Sequence, residues 1–355
     1  MVPVRAIRGG ADWREGARDV RRAFITGTAG FIGFHLAELL LQEGWAVAGF
    51  DGMTDYYDVS LKRRRHEILG QHAGFSATEA RLEDMESLQR AVEAFAPDII
   101  VHLAGQAGVR YSLENPRSYI DANVVGTFNV MECARAAGVA HLLLASTSSV
   151  YGANTEMPYA ETQKADTQLT IYAATKKANE AMGHAWAHIH GLPTTAFRFF
   201  TVYGPWGRPD MALFKFTRGI LEGTPIDIYN NGEMWRDFTY VTDLVRGIRA
   251  LIDAVPGGEE TQVAGDSLSP AAPFRIVNIG NSDKVRLLDF VDAIEASLGR
   301  KAIRNYMPMQ TGDVPATWAD ATLLETLTGQ RPRTPFREGV EEFVRWYCDY
   351  YGVAR

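Results

Sequence analysis

Residues 23–33 read AFITGTAGFIG, and this stretch decides the fold. The apolar run Ala23–Thr26 predicts a buried parallel strand, and the amphipathic run Phe31–Glu43 predicts a helix directly after it. Between them, Gly27, Gly30 and Gly33 have the GxxGxxG spacing. Glycine permits the tight turn and the close approach of the backbone to a diphosphate, which then binds at the helix N-terminus beside Phe31 and Ile32. The stretch therefore predicts a dinucleotide-binding turn.

The second predicted strand, Ala46–Asp51, ends in a carboxylate at about the expected 20 residues beyond the turn. We expect Asp51 to accept hydrogen bonds from an adenosine ribose and to repel a 2′-phosphate, which favours NAD over NADP. The alternative for the glycines alone is a tight turn that binds no nucleotide, and Asp51 argues against it. The run Arg63-Arg64-Arg65 lies well beyond the strand end, and we interpret it as a solvated helix face and not as a 2′-phosphate site.

The strand–helix alternation continues through the first half of the chain. Apolar runs at Asp98–Ala104, His141–Ser146 and Thr194–Phe200 predict further parallel strands, separated by amphipathic segments. This rhythm predicts an α/β fold, a Rossmann-type doubly wound parallel sheet. After Tyr203, Gly and Pro become frequent and the elements shorten, which suits a smaller, discontinuous α/β substrate lobe.

These changes of texture divide the chain into three parts. We predict a nucleotide-binding domain, which comprises residues 20–202 and 238–280. We predict a substrate lobe, which comprises residues 203–237 and 281–351. Residues 1–19 are predicted to be a flexible N-terminal extension.

Composition limits the classes of function. The 355 residues carry a formal net charge of −7, which argues against a nucleic-acid or membrane-surface footprint. No apolar run reaches the roughly 18 residues that a membrane span requires, and residues 1–22 lack the apolar core of a signal peptide. The two cysteines, Cys133 and Cys348, are far apart and have no metal-binding spacing. We expect free thiols and a cytoplasmic location.

A Tyr-x-x-x-Lys pattern at Tyr172 and Lys176 is the candidate catalytic pair. The four-residue spacing places both side chains on one face of a helix. A phenol beside an ammonium group is more easily deprotonated, as proton transfer near neutral pH requires. The strand His141–Ser146 leads into Thr147, whose hydroxyl could hydrogen-bond a reacting sugar oxygen. The pattern alone is common by chance, but together with the glycine turn it is specific.

The combined motifs resemble the extended short-chain dehydrogenase/reductases, and more closely the UDP-glucuronate 4-epimerases. The resemblance runs from about Arg22 to about Tyr351. It rests on TGTAGFIG, STSSVYG and YAATK, and on DYYD (55–58), AGVRYSLENP (107–116), FRFFTVYGPWGRPDM (197–211), RDFTYV (236–241), VNIGNS (277–282) and MQTGDVPATWAD (309–320).

The resemblance implies a role for each site residue. It assigns the catalytic hydroxyl to Thr147, the acid/base to Tyr172 and its cofactor-bound partner to Lys176. Arg208 matches a contact to the sugar carboxylate, and Arg236 matches a contact to the UDP diphosphate. Further cofactor contacts fall on Leu103 and Ala104, and further substrate contacts on Ser148, Ser149, Thr201, Arg110 and Asp313.

The implied reaction is NAD-dependent C4 epimerisation of UDP-glucuronate to UDP-galacturonate through a 4-keto intermediate. UDP-glucuronate decarboxylases carry a glutamate at the position of Ser149, and 4,6-dehydratases carry an Asp-Glu pair at the positions of Ser148 and Ser149. Hydroxyls here weaken both alternatives. A neutral UDP-hexose epimerase would explain everything except Arg208 and Thr201. A non-catalytic nucleotide-binding protein is disfavoured by the intact Thr147, Tyr172 and Lys176 set.

Two further expectations concern partners. The resemblance implies a homodimer through the helix that bears Tyr172. The histidines His184, His188 and His190 lie on that helix, but no third metal ligand or HExxH pattern accompanies them. We therefore expect a packed or solvated helix face and no metal site.

Overall fold

The computed structural model describes residues 20–257 and 261–355. The predicted flexible extension, residues 1–19, lies outside the described residues. The strands are β1 (Arg22–Thr26), β2 (Ala46–Asp51), β3 (Phe75–Glu79), β4 (Ile99–His102), β5 (His141–Thr147), β6 (Thr194–Phe199), β7 (Thr201–Tyr203), β8 (Ile226–Ile228), β9 (Trp235–Arg236), β10 (Phe238–Tyr240), β11 (Phe274–Ile279), β12 (Val285–Arg286), β13 (Arg304–Tyr306) and β14 (Ala316–Thr317).

The α-helices alternate with these strands along the chain. They are α1 (Phe31–Gln42), α2 (Val59–Leu69), α3 (Met85–Phe95), α4 (Tyr111–Glu114), α5 (Pro116–Tyr119), α6 (Gly126–Ala137), α7 (Ile171–His190), α8 (Ala212–Glu222), α9 (Val241–Asp253), α10 (Leu287–Leu298), α11 (Thr322–Thr328) and α12 (Phe336–Tyr351). A π-helical segment, Ile120–Val125, joins α5 to α6, and 3₁₀ turns follow β5 (Ser148–Tyr151) and β8 (Tyr229–Gly232). None of the helices in the described part of the chain is long and apolar enough to cross a membrane.

A seven-stranded parallel sheet is the centre of the fold, in the order β11-β6-β5-β4-β1-β2-β3. Helices α1, α9 and α11 pack through one apolar cluster on one face, and α3, α6 and α7 pack through another on the opposite face. The prediction of a Rossmann-type α/β fold is confirmed. Because every strand is parallel, the carboxyl ends of β1, β2, β4 and β5 meet at one edge, where such sheets bind ligands.

A third apolar cluster lies beside this edge. Phe238 stacks on Phe290 with ring centroids 3.9 Å apart, and helices α8, α10 and α12 pack around the pair. Helix α11 belongs elsewhere, since Leu323 and Leu324 are buried in the cluster that α1 and α9 form. On this packing we propose the division of the chain that the sequence predicts, with α11 attached to the nucleotide-binding side.

The solvent exposure of helix α2 differs from the prediction at one residue. Arg63 and Arg64 are exposed, but Arg65 is fully buried, so the expectation of a solvated arginine run is wrong at that position. Its guanidinium donates to the carbonyl of Ala29, in the glycine turn, at 2.7 Å and to that of Trp206 at 2.5 Å. The physical reason is that α2 packs one face against the glycine turn, where carbonyl oxygens need a donor. Arg65 thereby joins the glycine turn to the segment that contains Trp206.

The glycine turn is packed backbone against backbone. Gly27 has φ +84°, and a Cβ there would lie 2.8 Å from the amide nitrogen of Ala104. A Cβ at Gly33 would lie 2.1 Å from the carbonyl oxygen of Gly27. These contacts pack α1 and the residues that follow β4 against the turn. Neither Gly27 nor Gly33 can therefore accept a side chain.

We predict that Gly33→Ala lowers the free energy of unfolding by about 3 kcal/mol and abolishes NAD retention, because backbone atoms cannot yield to the methyl group. Urea unfolding and the NAD content of the purified protein measure the two effects. Gly247→Ala is the matched control, since its Cβ would meet Ile279 and Leu324 side chains at an ordinary 3.5 Å. An unfolding midpoint for Gly33→Ala that equals the wild-type midpoint would contradict the close packing.

Candidate active site

One cavity of about 460 Å³ lies at the carboxyl edge of the sheet. It is lined by most of the residues that the sequence predicted for the site, namely Gly27, Gly30, Phe31, Ile32, Gly33, Asp51, Leu103, Ala104, Thr147, Ser148, Ser149, Tyr172, Lys176, Thr201, Arg208, Arg236 and Asp313. Arg110 is the exception. It bonds Asp313 at 3.4 Å and lies 4.3 Å above the ring of Tyr229, so these contacts hold it outside the cavity wall.

The cofactor side of the cavity is shaped by the glycine turn. Helix α1 starts at Phe31, and Gly30 before it supplies no side-chain cap, so the first backbone N–H groups of the helix remain available to an anion. Asp51 is held rigidly at the end of β2, since its two carboxylate oxygens accept hydrogen bonds from the amides of Ala29 (3.0 Å) and Met53 (2.9 Å). A diphosphate cradle followed by a fixed carboxylate fits a dinucleotide with a free 2′-hydroxyl, as NAD has.

Tyr172 lies in the first turn of α7, and its pKa is raised because the phenol is buried, although Thr147 and the charge of Arg208 oppose the shift. Lys176 lies one turn further on and donates to the carbonyl of Ala145 at 3.1 Å. Burial lowers the pKa of Lys176 to about 8. A buried phenol beside an ammonium group suits proton transfer to and from a bound alcohol.

The tip of β5 presents hydroxyl groups. Thr147 accepts a hydrogen bond from the amide of Ser149 at 3.2 Å and donates to its hydroxyl at 3.3 Å. Among the described residues that line the cavity, the carboxylates are Asp51, Glu83 and Asp313. Asp51 ends β2, Glu83 follows β3 and Asp313 bonds Arg110, so the tip of β5 itself carries no acid.

Two arginines lie on the substrate side. Arg208 makes a two-point ion pair with Asp210, which is analysed below. Arg236 donates to the carbonyls of Trp235 (2.9 Å) and Pro315 (3.3 Å), and burial lowers its pKa although Asp313 opposes this. Within residues 20–257 and 261–355 the hydrogen bonds of Arg236 go to these neutral carbonyls, so its guanidinium can still attract an anion such as a diphosphate.

The structure adds residues that sequence reasoning missed. Lys62 lines the cofactor side with 5% of its surface exposed, bonds the carbonyl of Thr54 and has its pKa lowered by burial. Tyr56 lines the cavity beside Arg208. The DYYD motif at residues 55–58 was the available signal, but nothing in the sequence indicated that this loop crosses to the substrate side.

The histidines of α7 lie away from the cavity. His184 bonds Ser269 at 2.8 Å and His188 bonds the carbonyl of Ala271 at 2.6 Å, so both pack against the loop before β11. Among residues 20–257 and 261–355, no group of three or more His, Cys, Asp or Glu side chains has metal-binding geometry.

We predict that Lys176 makes the stability of the protein depend on pH between about 8 and 10.5. Its pKa is about 8 in the folded protein against an ordinary 10.5, so between these values the unfolded chain binds the extra proton. The free energy of unfolding should therefore rise with pH across this window. Below pH 8 both states are protonated, and the cost of burying the charge is fully present.

The measurement is the difference in the free energy of unfolding between the NAD-free wild type and Lys176→Met, followed by urea titration from pH 7 to 10.5. Subtraction removes the contributions of other titrating groups. The wild type should gain stability relative to the variant as pH rises. A difference that is independent of pH would show that the Lys176 ammonium carries no burial penalty.

Comparisons with known proteins place these features in context. The model of the NAD dependent epimerase/dehydratase family matches residues 23–265. A probable UDP-glucuronate 4-epimerase of Rhizobium meliloti (strain 1021) is 58% identical over 337 residues, which cover 94% of this chain and 98% of the relative. UDP-glucuronate 4-epimerase 1 of Arabidopsis thaliana is 43% identical over 357 residues, which cover 97% of this chain and 82% of the relative.

Solved structures agree. The crystal structure of UDP-glucuronic acid 4-epimerase from Bacillus cereus, in complex with UDP-glucuronic acid and NAD, matches with a TM-score of 0.83. The two proteins are 28% identical, and the match covers 93% of this chain and 100% of that chain.

Proposed function

The chain belongs to the NAD-dependent epimerase/dehydratase family, and on that premise we propose that it interconverts UDP-glucuronate and UDP-galacturonate by epimerisation at C4. The observation that carries the proposal is the joint presence, in one cavity, of the Tyr172–Lys176 pair, Arg208 and the hydroxyl tip of β5. The named relatives are UDP-glucuronate 4-epimerases, and the cavity holds the groups that a uronic acid requires.

We assign the residue roles as follows. Thr147, Tyr172 and Lys176 are the catalytic residues. Gly27, Gly30, Phe31, Ile32, Gly33, Asp51, Leu103, Ala104 and Lys176 hold NAD. The UDP-sugar is bound by Thr147, Ser148, Ser149, Tyr172, Thr201, Arg208, Arg236 and Asp313, and Arg110 lies at the rim and acts through Asp313.

The mechanism requires proton movement by the chain. The chemistry that NAD supplies when bound is reversible oxidation at C4 of the sugar. Tyr172 takes the proton of the 4-hydroxyl as C4 is oxidised and returns it when C4 is reduced on the opposite face, while the Thr147 hydroxyl holds the C4 oxygen. The positive charge of Lys176 stabilises the Tyr172 phenolate while the sugar is in its 4-keto form.

The tip of β5 distinguishes this reaction from its relatives. The 4-keto form of a uronate is a β-keto acid, which readily loses CO₂. Decarboxylation and dehydration in this family use an acid at the place of Ser148 or Ser149, and here both positions carry hydroxyls. Arg208 and the hydroxyls of Thr147 and Ser149 then hold the carboxylate in an orientation in which cleavage of the C–C bond is poorly aligned.

We predict that the purified protein converts UDP-glucuronate to UDP-galacturonate, followed by proton NMR, without release of CO₂ or UDP-pentose. Tyr172→Phe should retain NAD and lose about 10²- to 10⁴-fold in rate, because only the acid/base group is removed.

Other products would point to other functions. Release of UDP-pentose would mean that decarboxylation proceeds without the glutamate, and the argument from the tip would be wrong. Turnover of UDP-glucose in preference to UDP-glucuronate would make the protein a neutral-sugar epimerase.

We also propose that the protein is a homodimer formed through α6 and α7. Ile120, Val125, Phe128 and Ile171 are each 41–42% exposed on the π-helical segment and the starts of these helices. Phe128 contacts Trp186 of α7, so the two helices share one apolar surface. Surfaces of this kind mark protein–protein contacts.

Because Cys133 and Cys348 are both buried and unpaired, we place the enzyme in the cytoplasm.

We predict that Phe128→Asp makes the protein monomeric at micromolar concentration, because a carboxylate at the centre of an apolar contact would be desolvated without a partner. Size-exclusion chromatography with light scattering measures the mass. Ile303→Asp is the control, since Ile303 is 54% exposed directly before β13, outside α6 and α7, and should leave the mass unchanged. If Phe128→Asp remains a dimer, the α6–α7 surface is not the interface.

A further inference from the structure

Arg208 is held by an internal carboxylate. Its Nε donates to Oδ1 of Asp210 at 3.0 Å and its Nη2 donates to Oδ2 at 2.6 Å. The two side chains are 21% and 23% exposed. This two-point contact occupies the Nε–Nη2 edge of the guanidinium, whereas Nη1 makes no hydrogen bond to the described residues. Since Arg208 lines the cavity, the end of the guanidinium that bears Nη1 is available to a ligand.

Asp210 is fixed in turn from the cofactor side of the cavity. The hydroxyl of Tyr56, in the loop after β2, donates to Oδ2 of Asp210 at 3.1 Å. The ring of Tyr56 lies 5.8 Å below the guanidinium of Arg208 and 4.7 Å from the ring of Tyr111, which supports it from behind. Burial and the nearby Asp210 raise the pKa of Tyr56 to about 12, so the phenol keeps its proton and remains a donor.

The ion pair also determines the protonation states of Arg208 and Asp210. Burial alone would lower the pKa of Arg208, but the pairing with Asp210 outweighs burial and raises it. The pKa of Asp210 is lowered, because the charge of Arg208 outweighs the burial of the carboxylate. Both groups therefore stay ionised, and the pair is nearly neutral before any substrate arrives. A uronate carboxylate can then meet the Nη1–Nη2 edge while Asp210 keeps the Nε–Nη2 edge.

We propose that Asp210 and Tyr56 are positioning residues that hold the Nε–Nη2 edge of Arg208 so that the adjacent Nη1–Nη2 edge meets the carboxylate of the uronic acid. This inference rests on the proposed function, since it takes Arg208 as the carboxylate contact. It makes the preference for a uronate over a neutral hexose depend on two residues that act through Arg208. The Tyr56 contact ties this preference to the loop that follows the NAD-binding strand β2.

The test compares Asp210→Asn, Tyr56→Phe and the control Tyr111→Phe in the NAD-loaded full-length protein. Tyr111→Phe makes the same change in the neighbouring ring, whose hydroxyl accepts a hydrogen bond from Asn115 and has no contact with the ion pair. Steady-state kinetics give KM and kcat for UDP-glucuronate, and calorimetry gives the affinities for UDP-glucuronate, UDP-glucose and UDP.

We expect Asp210→Asn to weaken UDP-glucuronate binding roughly tenfold to hundredfold, because the guanidinium loses its charged anchor. Tyr56→Phe should weaken it about threefold to tenfold, because one hydrogen bond is lost. The loss should appear in KM more than in kcat. Binding of UDP and UDP-glucose should stay within about twofold in both variants, and Tyr111→Phe should behave as the wild type. Equal losses for all three ligands would reveal a purely structural role and overturn the proposal.

Arg208→Gln separates this inference from the proposed function. If Arg208→Gln binds UDP-glucuronate as well as the wild type does, Arg208 is not the carboxylate contact and the proposed function loses its main support. If Arg208→Gln loses affinity but Tyr56→Phe and Asp210→Asn do not, only the positioning role is wrong. Since Asp210 acts through Arg208, adding Asp210→Asn to Arg208→Gln should cause no further loss of UDP-glucuronate affinity, and an additive loss would contradict the proposal.

Discussion

A buried ion pair under the catalytic groups is the interaction on which the site depends. Glu180, on α7, receives two hydrogen bonds of 2.8 Å from Arg198, on β6, and a third of 2.6 Å from Ser146, on β5. Arg198 and Glu180 are 1% and 2% exposed. Because Thr147 follows Ser146 directly and Lys176 lies one helical turn before Glu180, the pair fixes the helix and the strand that carry the catalytic groups relative to each other.

Because the Arg198–Glu180 pair is buried, it cannot be broken without a large cost in free energy. Removing Glu180 would leave Arg198 as an unpaired charge in a low-dielectric interior, which costs far more than a broken surface pair. Removing Arg198 would leave Glu180 paired with Lys177 alone, at 3.1 Å. Arg198 also lies 4.6 Å from the ring of Tyr151, and that phenol donates to Asn278 at the end of β11 at 2.8 Å. The network therefore extends across three neighbouring strands of the sheet. It provides the rigid support that a proton transfer needs, since a shift of even 1 Å between reacting groups is costly.

How far the sequence predicts the structure depends on how local the determining interaction is. The glycine turn, Asp51 and the Tyr172–Lys176 pair were predicted because each rests on neighbours along the chain. The edge strand β3 escaped prediction because its side chains, on an edge of the sheet, are only exposed or half-buried and give no apolar run. The predicted bounds of β2 match the structure, and those of β1, β4, β5 and β6 differ from it by one or two residues at an end. The short strands β7–β10 and β12–β14 and the strand β11 were not predicted.

Arg65 and Asp210 show a different limit. Leu61, Arg65 and Leu69 recur every four residues on α2 and are all fully buried, so helical periodicity could have placed Arg65 on the packed face. The carbonyls of Ala29 and Trp206 that it binds come from distant parts of the chain, and no local pattern names them. Asp210 lies only two residues from Arg208, yet its role depends on Tyr56, which reaches it from 154 residues away.

The cationic side chains around the cavity are of two kinds, and they contribute differently to ligand binding. Burial lowers the pKa of Lys62, Lys176 and Arg236, and for Lys62 and Arg236 it outweighs the charges of the nearby aspartates. Anionic groups of the dinucleotide and of UDP can supply further negative charge, so affinity should arise there. Arg208 already has its counter-ion in Asp210, so its contribution depends on the position in which Asp210 holds its guanidinium. Its geometry favours ligands that present a carboxylate to the Nη1–Nη2 edge, so this arginine contributes to the preference for a uronate and not to the binding of the UDP part.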